Sequence, residues 1–285
     1  MNILLATYSY YPYHYGGTEV YVAGLAGFLK NKGHSVTIIA GMPPKAFAEH
    51  PVFYEDEQLK TVRYEYEGIE VVGVILNDES TTEIYKKYRN AWSRSWRIVL
   101  DKLGKQKFDI LHLHANTSPV GENLIEAVKS KSPQVKCVAS YHLPISCAKG
   151  TLLFGNTLQA CGIAPDINIC TACTLASKLH WSLTLSKPLV KAMPLIGSEF
   201  FPTGFRLKYL LKEFIQSFQS LNSSINIWHV FSKQIQEILL LNKVNSNKVI
   251  LLKHGVHPCF FVDGDASIHE RSVGKEILFL YAGRF

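Results

Sequence analysis

No run of the 285 residues is apolar for long enough to span a bilayer, and the N-terminus has neither a basic leader nor a small-residue cleavage site. The sequence therefore predicts a cytoplasmic protein. Charge is sparse, at 19% of residues, and the excess of 30 Lys and Arg over 23 Asp and Glu, a net +7, is scattered along the chain. With no helix-turn-helix or RNA-binding signature, that scatter argues against nucleic acid as a partner and suits anionic small molecules or a lipid surface. A G-x-G-x-x-G fingerprint is also missing, which disfavours a nicotinamide or flavin dinucleotide site. What the chain has in quantity is hydrophobic residues, 47% of the total, enough for one large α/β core or for one domain and the start of another.

The first forty-one residues organise the rest. Ile3 to Ala6 reads as a short buried strand, Thr7 to Tyr15 as an aromatic and polar loop, and Tyr21, Leu25, Phe28 and Leu29 recur at helical spacing after Gly16-Gly17. Thr18 is placed to cap the helix and Glu19 to meet its dipole, while Lys30, Lys32 and Gly33 close it. Ser35 to Ala40 reads as the next strand, which completes a βαβ unit. Without a Cβ, Gly16 and Gly17 let backbone amides at a helix start approach a phosphate or a sugar; a plain tight turn is the competing explanation.

Two later strands end in histidine. Phe108 to His114, FDILHLH, carries His112 and His114 on one face, with His114 nearest the tip. Val135 to Tyr141 is the following strand and finishes at His142. Open parallel sheets bind ligands beyond such carboxyl ends, and imidazole there can donate to a sugar hydroxyl or shuttle a proton. Metal ligation and satisfied core histidines remain open alternatives.

Four of the six cysteines, Cys147, Cys161, Cys170 and Cys173, fall within one short insertion and end in C-x-x-C. That spacing predicts a structural zinc tetrathiolate, closed and without chemistry of its own; an iron–sulfur cluster or four unliganded thiols are the alternatives. Elsewhere, residues 42 to 69 read as polar and uninformative apart from a strand opening at Ile69, and a helix is expected over Thr82 to Leu103 with Trp92 and Trp96 as packing residues. Residues 174 to 220 combine apolar helical patches with lysines, either a packed helical pair or a peripheral membrane surface. Ser232 should cap a helix over Lys233 to Leu241. Asp263 to Lys275 reads as a linker, and Ile277 to Tyr281 as a further strand running into Gly283 and Arg284.

The ordered set formed by Gly16-Gly17-Thr18-Glu19, FDILHLHA, SYH, WHVFSKQIQEILLLNKVNSNKVILLKHGVHP and FLYAGRF resembles the N-terminal domain of retaining GT-B glycosyltransferases of family 4, and it spans nearly the whole chain. The resemblance implies an α/β, Rossmann-like parallel sheet flanked by helices over residues 1–262, with the Cys-rich insertion at 142–175. A linker at 263–275 and the first strand of a truncated donor-binding domain at 276–285 would follow. It implies His142 as the catalytic-site histidine beside the transferred sugar, Gly16, Gly17 and Arg284 on the donor diphosphate, and Tyr13, His14, Glu19 and His114 on the acceptor side. The implied partners are a nucleotide-diphosphate sugar and a glycan or lipid-linked acceptor, reached at the inner face of a membrane in the lipid-linked case. No divalent metal is implied for the chemistry. Where the family's turn carries an aspartate, this chain has His257, and the acidic donor motif lies beyond Phe285, so the chain alone is expected to be a poor catalyst or none. A metal-stabilised glycan- or protein-binding domain and a nucleotide-sugar epimerase are the competing functions.

Overall fold

The structure is a computed structural model and describes residues 1–56, 59–75, 94–104, 107–114, 121–142, 146–147, 149–196, 202–253 and 255. A compact unit runs from Met1 to Leu252. The expected linker and the strand leading to Arg284 lie outside the described residues, as do His257 and Trp92.

The chain begins with β1 (Asn2–Thr7), α1 (Gly17–Asn31) and β2 (Ser35–Gly41). A short α2 (Ala46–Glu49) leads to β3 (Val52–Glu55), β4 (Lys60–Tyr66) and β5 (Ile69–Ile75). Helical residues 94–102, here α3, precede β6 (Ile110–Leu113), α4 (Glu122–Lys131) and β7 (Lys136–Ser140). Then follow α5 (Ile167–Leu179), α6 (Leu183–Ile196), α7 (Pro202–Ser224), β8 (Ile227–Val230), α8 (Lys233–Leu241) and β9 (Val249–Leu251). The strands form one sheet in the order β3-β4-β5-β2-β1-β6-β7-β8-β9. Every pairing from β5 across to β9 is parallel, and β4 runs against both its neighbours.

From β1 the chain winds outward through β2 to the β3 edge, then returns to β6 on the other side of β1. The gap beyond the carboxyl ends of β1 and β6 is thus the topological switch point, where open α/β sheets leave a crevice for ligands. Strand parity builds the two faces. Leu4, Ala6, Leu111 and Leu113 pack into one buried cluster with Trp96 and Trp228, while Ile3, Leu5, Ile38 and Ala40 pack into another against Val22 and Ala26 of α1. Burial of Trp96 agrees with the packing role expected for it.

Several local expectations need correction. Thr18 does not cap α1: the cap is Gly16, which offers no side chain, and Thr18 lies inside the first turn. Phe28 is 58% exposed, because the face that α1 buries runs through Glu19, Val22 and Ala26. Residues 42–69 are not featureless, since they supply the antiparallel β3–β4 edge. The helical pair expected over 174–220 is a three-helix layer in which Ala172, Leu175, Val190, Met193, Leu207 and Leu211 form a third core. Ser232 caps α8 as expected, its Oγ accepting the Ile235 amide at 3.3 Å.

Candidate active site at the strand tips

The loop after β1 is held down by its own aromatics. The Tyr11 ring stacks on Tyr66 at 5.4 Å, and the Tyr64 hydroxyl donates to the Tyr11 carbonyl at 2.6 Å. Tyr13 turns toward α2, its hydroxyl donating to Glu49 Oε2 at 2.7 Å and lying 2.8 Å from His50 Nε2. Burial and the Glu49 carboxylate push the Tyr13 phenol up to about 12, so it stays protonated as a donor.

At the start of α1, Gly16 is extended (φ −153°), a conformation any residue can adopt, so the demand for glycine comes from space. A Cβ there would collide with Glu19 Oε2. Glu19 turns back onto the first turn, 4% exposed, and accepts from Ser9 Oγ at 2.6 Å with His14 Nδ1 3.3 Å away. A carboxylate in the first turn complements the positive end of the helix dipole while it pins the loop. Gly17 differs: nothing lies within 4 Å of where its Cβ would be, so its backbone faces open space.

Beside this helix start, β6, β7 and β8 bring polar side chains to the face that α1 covers. Leu111 and Leu113 point to the opposite core, which leaves His112 and His114 on the α1 side. Register then aligns Ser140 of β7 with His229 of β8. A hydrogen-bonded chain runs through them: His229 Nε2 is 3.1 Å from the Leu252 carbonyl, His229 Nδ1 is 2.9 Å from Ser140 Oγ, and Ser140 Oγ is 2.8 Å from His112 Nε2. The rings of His112 and His114 lie 4.0 Å apart, and His114 Nδ1 is 3.1 Å from His142 Nε2. His142 packs between Tyr21 of α1, at 5.1 Å, and Phe231, at 4.7 Å. Tyr21 sits one helical turn, about 6 Å of rise, below Gly17, so the open helix start and the half-buried imidazole belong to one neighbourhood.

Burial and the surrounding imidazoles press His112 down to about 3, and His114 lies well below the usual histidine range for the same reasons. At neutral pH these two are uncharged, so they offer directed N–H groups and lone pairs rather than fixed cations. Of the residues expected on the acceptor side, His14 is exposed and Tyr13 half-buried. Glu19 and His114 are buried behind the surface, where they hold the loop and the His142 ring. Sequence reasoning overlooked His229, Ser140 and Tyr21. His229 occupies a strand tip just as His114 does, so the same parity argument applied to IWHV would have found it.

The four clustered cysteines line one hollow between the insertion, α7 and α8, together with Lys149 and Phe154. They are free thiols. Cys173 Sγ accepts the Gly155 amide at 3.1 Å and lies 3.8 Å from Lys149 Nζ, while burial pushes the Cys170 thiol up to about 11. Donor type and shared hollow fit a soft metal, yet among the described residues no group of three or more Cys, His, Asp or Glu is placed to hold an ion. Among those residues, too, no helix is long and apolar enough to cross a membrane.

The family described as Glycosyltransferase Family 4 matches residues 15–161, 147 of the 285. An uncharacterized 42.6 kDa protein in the cps region of Klebsiella pneumoniae is 55% identical over 40 residues, 14% of this chain and 11% of that protein. Among solved structures, the catalytic domain of starch synthase IV from Arabidopsis thaliana, bound to ADP and acarbose, is 14% identical with a TM-score of 0.46, over 90% of this chain and 52% of that one. An α,α-trehalose-phosphate synthase from Burkholderia xenovorans, in complex with glucose-6-phosphate, is 10% identical with a TM-score of 0.42, over 90% and 50%. The chain thus spans about half the length of these solved structures and a small part of the curated relative.

Proposed function

The chain belongs to glycosyltransferase family 4, and from that premise we propose that it forms the acceptor-side half of a retaining GT-B enzyme. The enzyme would move a sugar from a nucleotide diphosphate to a glycan or lipid-linked acceptor. One observation carries the reading: His142, at the tip of β7, meets Tyr21 edge to face one turn below the open Gly17 backbone, beside the switch point between β1 and β6.

In this reading the amides at the start of α1 face the donor diphosphate, with Gly17 the closer contact because Gly16 is crowded by Glu19. Arg284, which lies outside the described residues, is assigned to the donor diphosphate on the family resemblance alone. The His142 imidazole lies beside the transferred sugar, and His14 extends from the loop toward the acceptor. As the bond between sugar and nucleotide breaks, negative charge grows on the departing phosphate. Donors already aimed there stabilise the transition state more than the ground state. A lipid-linked acceptor would suit the exposed Trp181, Leu185 and Leu195 beside Lys187 and Lys191 on α6 and its approach. The thiol cluster is assigned a structural metal that braces the insertion without entering the reaction; four sulfurs on one hollow, with an amide and an ammonium turned to Cys173, support that assignment.

The test is to incubate the native protein containing this chain with UDP-, GDP- and ADP-sugars plus candidate acceptors and to follow release of nucleoside diphosphate. Acceptor-dependent release with retained anomeric configuration is expected. Binding of a glycan with no release from any donor would favour the binding-domain alternative, and an epimerised nucleotide sugar would favour the isomerase.

A further inference from the structure

We infer that Tyr11, Tyr15 and Tyr66 form an aromatic platform that takes the apolar face of a pyranose ring, so that the acceptor meets this chain through a sugar. The inference rests on the reading of the crevice proposed above and narrows its acceptor to a saccharide, free or at the head of a lipid.

The tyrosines around the loop after β1 fall into two kinds. Tyr13 and Tyr64 are committed to the fold, the first hydroxyl donating to Glu49 and the second to the Tyr11 carbonyl. Tyr11, Tyr15 and Tyr66 touch their neighbours through their rings, and among the described residues their hydroxyls have no hydrogen-bond partner. The Tyr11 and Tyr66 rings lie 5.4 Å apart and 13° from parallel, and Tyr15 meets Tyr11 edge-on at 4.9 Å. Behind them the buried Tyr10 ring stands edge-on to Tyr11 at 5.5 Å and to Tyr66 at 6.0 Å. The platform is thus built before a ligand arrives, and little side-chain freedom is lost on binding.

Tyr15 is 59% exposed, and Tyr11 and Tyr66 are half-buried. Aromatic surface left in water beside a ligand crevice marks a contact site, and its chemistry says for what. A pyranose has a face of C–H groups that lies flat on a ring and a rim of hydroxyls that both donate and accept, as a phenol does. Burial first, then the neighbouring phenols and the Glu19 and Glu67 carboxylates, raise the Tyr11 phenol above its usual range. Burial, Glu67 and the Tyr15 phenol do the same for Tyr66, so both hydroxyls keep their protons at neutral pH. An alkyl chain laid here would cover those hydroxyls without pairing them, at a desolvation cost that a sugar rim avoids.

The placement agrees. Tyr15 precedes the open Gly17 by two residues, no more than about 7 Å of chain, and Tyr66 ends β4. A saccharide whose reacting end lies by the start of α1 therefore runs over Tyr15 toward the β4 side of the sheet.

Saturation-transfer NMR on the native protein containing this chain tests the platform, with the α- and β-methyl glycosides of glucose, galactose and mannose as probes and uridine and adenosine as competitors. The expected result is transfer to the ring C–H protons of at least one glycoside, falling about fivefold in Tyr15→Ser and in Tyr66→Ser and retained in Tyr15→Phe, which keeps the ring. Tyr15 is exposed, so Tyr15→Ser should leave the melt unchanged and keep the test readable if Tyr66→Ser does not fold. Transfer to none of the glycosides, or equal transfer in wild type and Tyr15→Ser, overturns the inference. So does a loss in Tyr15→Phe equal to that in Tyr15→Ser, or a loss confined to the nucleosides, which would make the rings a base-stacking site. The readout requires no turnover: glycoside contact through Tyr15 in a protein that releases no nucleoside diphosphate would defeat the proposed function alone, and an active enzyme whose glycoside contact ignores Tyr15 would defeat only this inference.

Discussion

Acidification is the perturbation whose consequence can be worked most fully from the buried imidazoles. His112 keeps a bare nitrogen down to about pH 3 in the fold, against 6.5 for an ordinary histidine, and His114 is likewise held well below that ordinary value. The folded state therefore binds fewer protons than the unfolded chain throughout the window between these values. The sign follows: this stability is fully present above about pH 6.5 and is lost as pH falls toward 3. At pH 5 an unfolded histidine gains about 2 kcal/mol from protonation that a neutral buried one forgoes, and His112 and His114 both act in this direction. Against a total of roughly 5–15 kcal/mol for a domain, that loss is large. Urea midpoints followed by circular dichroism from pH 7.5 to 5.0 should fall steeply. In the His112→Gln, His114→Asn double variant, which has no imidazole left to protonate at these positions, the slope should be shallower within the window. Parallel slopes for wild type and variant would show that the two rings accept protons in the fold, and the neutral-cluster argument would fail.

The two glycines should separate cleanly. Gly16→Ala drives a methyl into the Glu19 carboxylate and should cost about 1–3 kcal/mol of stability, read by thermal melting, as the buried carboxylate loses its partners. Gly17→Ala has open space around it and should leave the melt within about 0.5 kcal/mol while weakening donor binding at least tenfold, read by calorimetry on the native protein. Elemental analysis of the purified chain should find close to one metal ion per molecule, lost with Cys170→Ser or Cys173→Ser; equal metal content in wild type and variants would leave four free thiols. Sedimentation with anionic vesicles should decrease on Leu185→Glu or Leu195→Glu, and unchanged sedimentation would remove α6 as a lipid-facing surface.

Much of the fold was legible because parallel strands advertise themselves. Ile3 to Ala6 and Ser35 to Ala40 carry apolar residues on both faces, Val135 to Tyr141 carries an apolar face through Val135, Cys137, Ala139 and Tyr141, and the structure places strands within or around each. The edge hairpin was not, because β4 alternates buried Val62 with solvent-facing Arg63 and Glu65 and so reads as polar. Its signal was present in Glu67-Gly68, two residues with positive φ joining alternating runs, the usual chemistry of a tight hairpin. In the site, His114 and His142 were legible as strand tips, but their contact depends on register, which no single strand encodes. At Gly16 the sequence shows only a missing side chain, and packing shows that Glu19 fills the space it leaves.

The most direct measurement is turnover by the native protein with and without the His142 imidazole. If His142 donates to the reacting sugar at the crevice beyond β1, β6 and β7, His142→Ala should lower kcat by about 10²–10³, the loss seen when one pre-aimed donor is removed, with melting temperature unchanged. Nucleoside diphosphate release at the wild-type rate from the folded variant would contradict it and move the chemistry away from these strand tips.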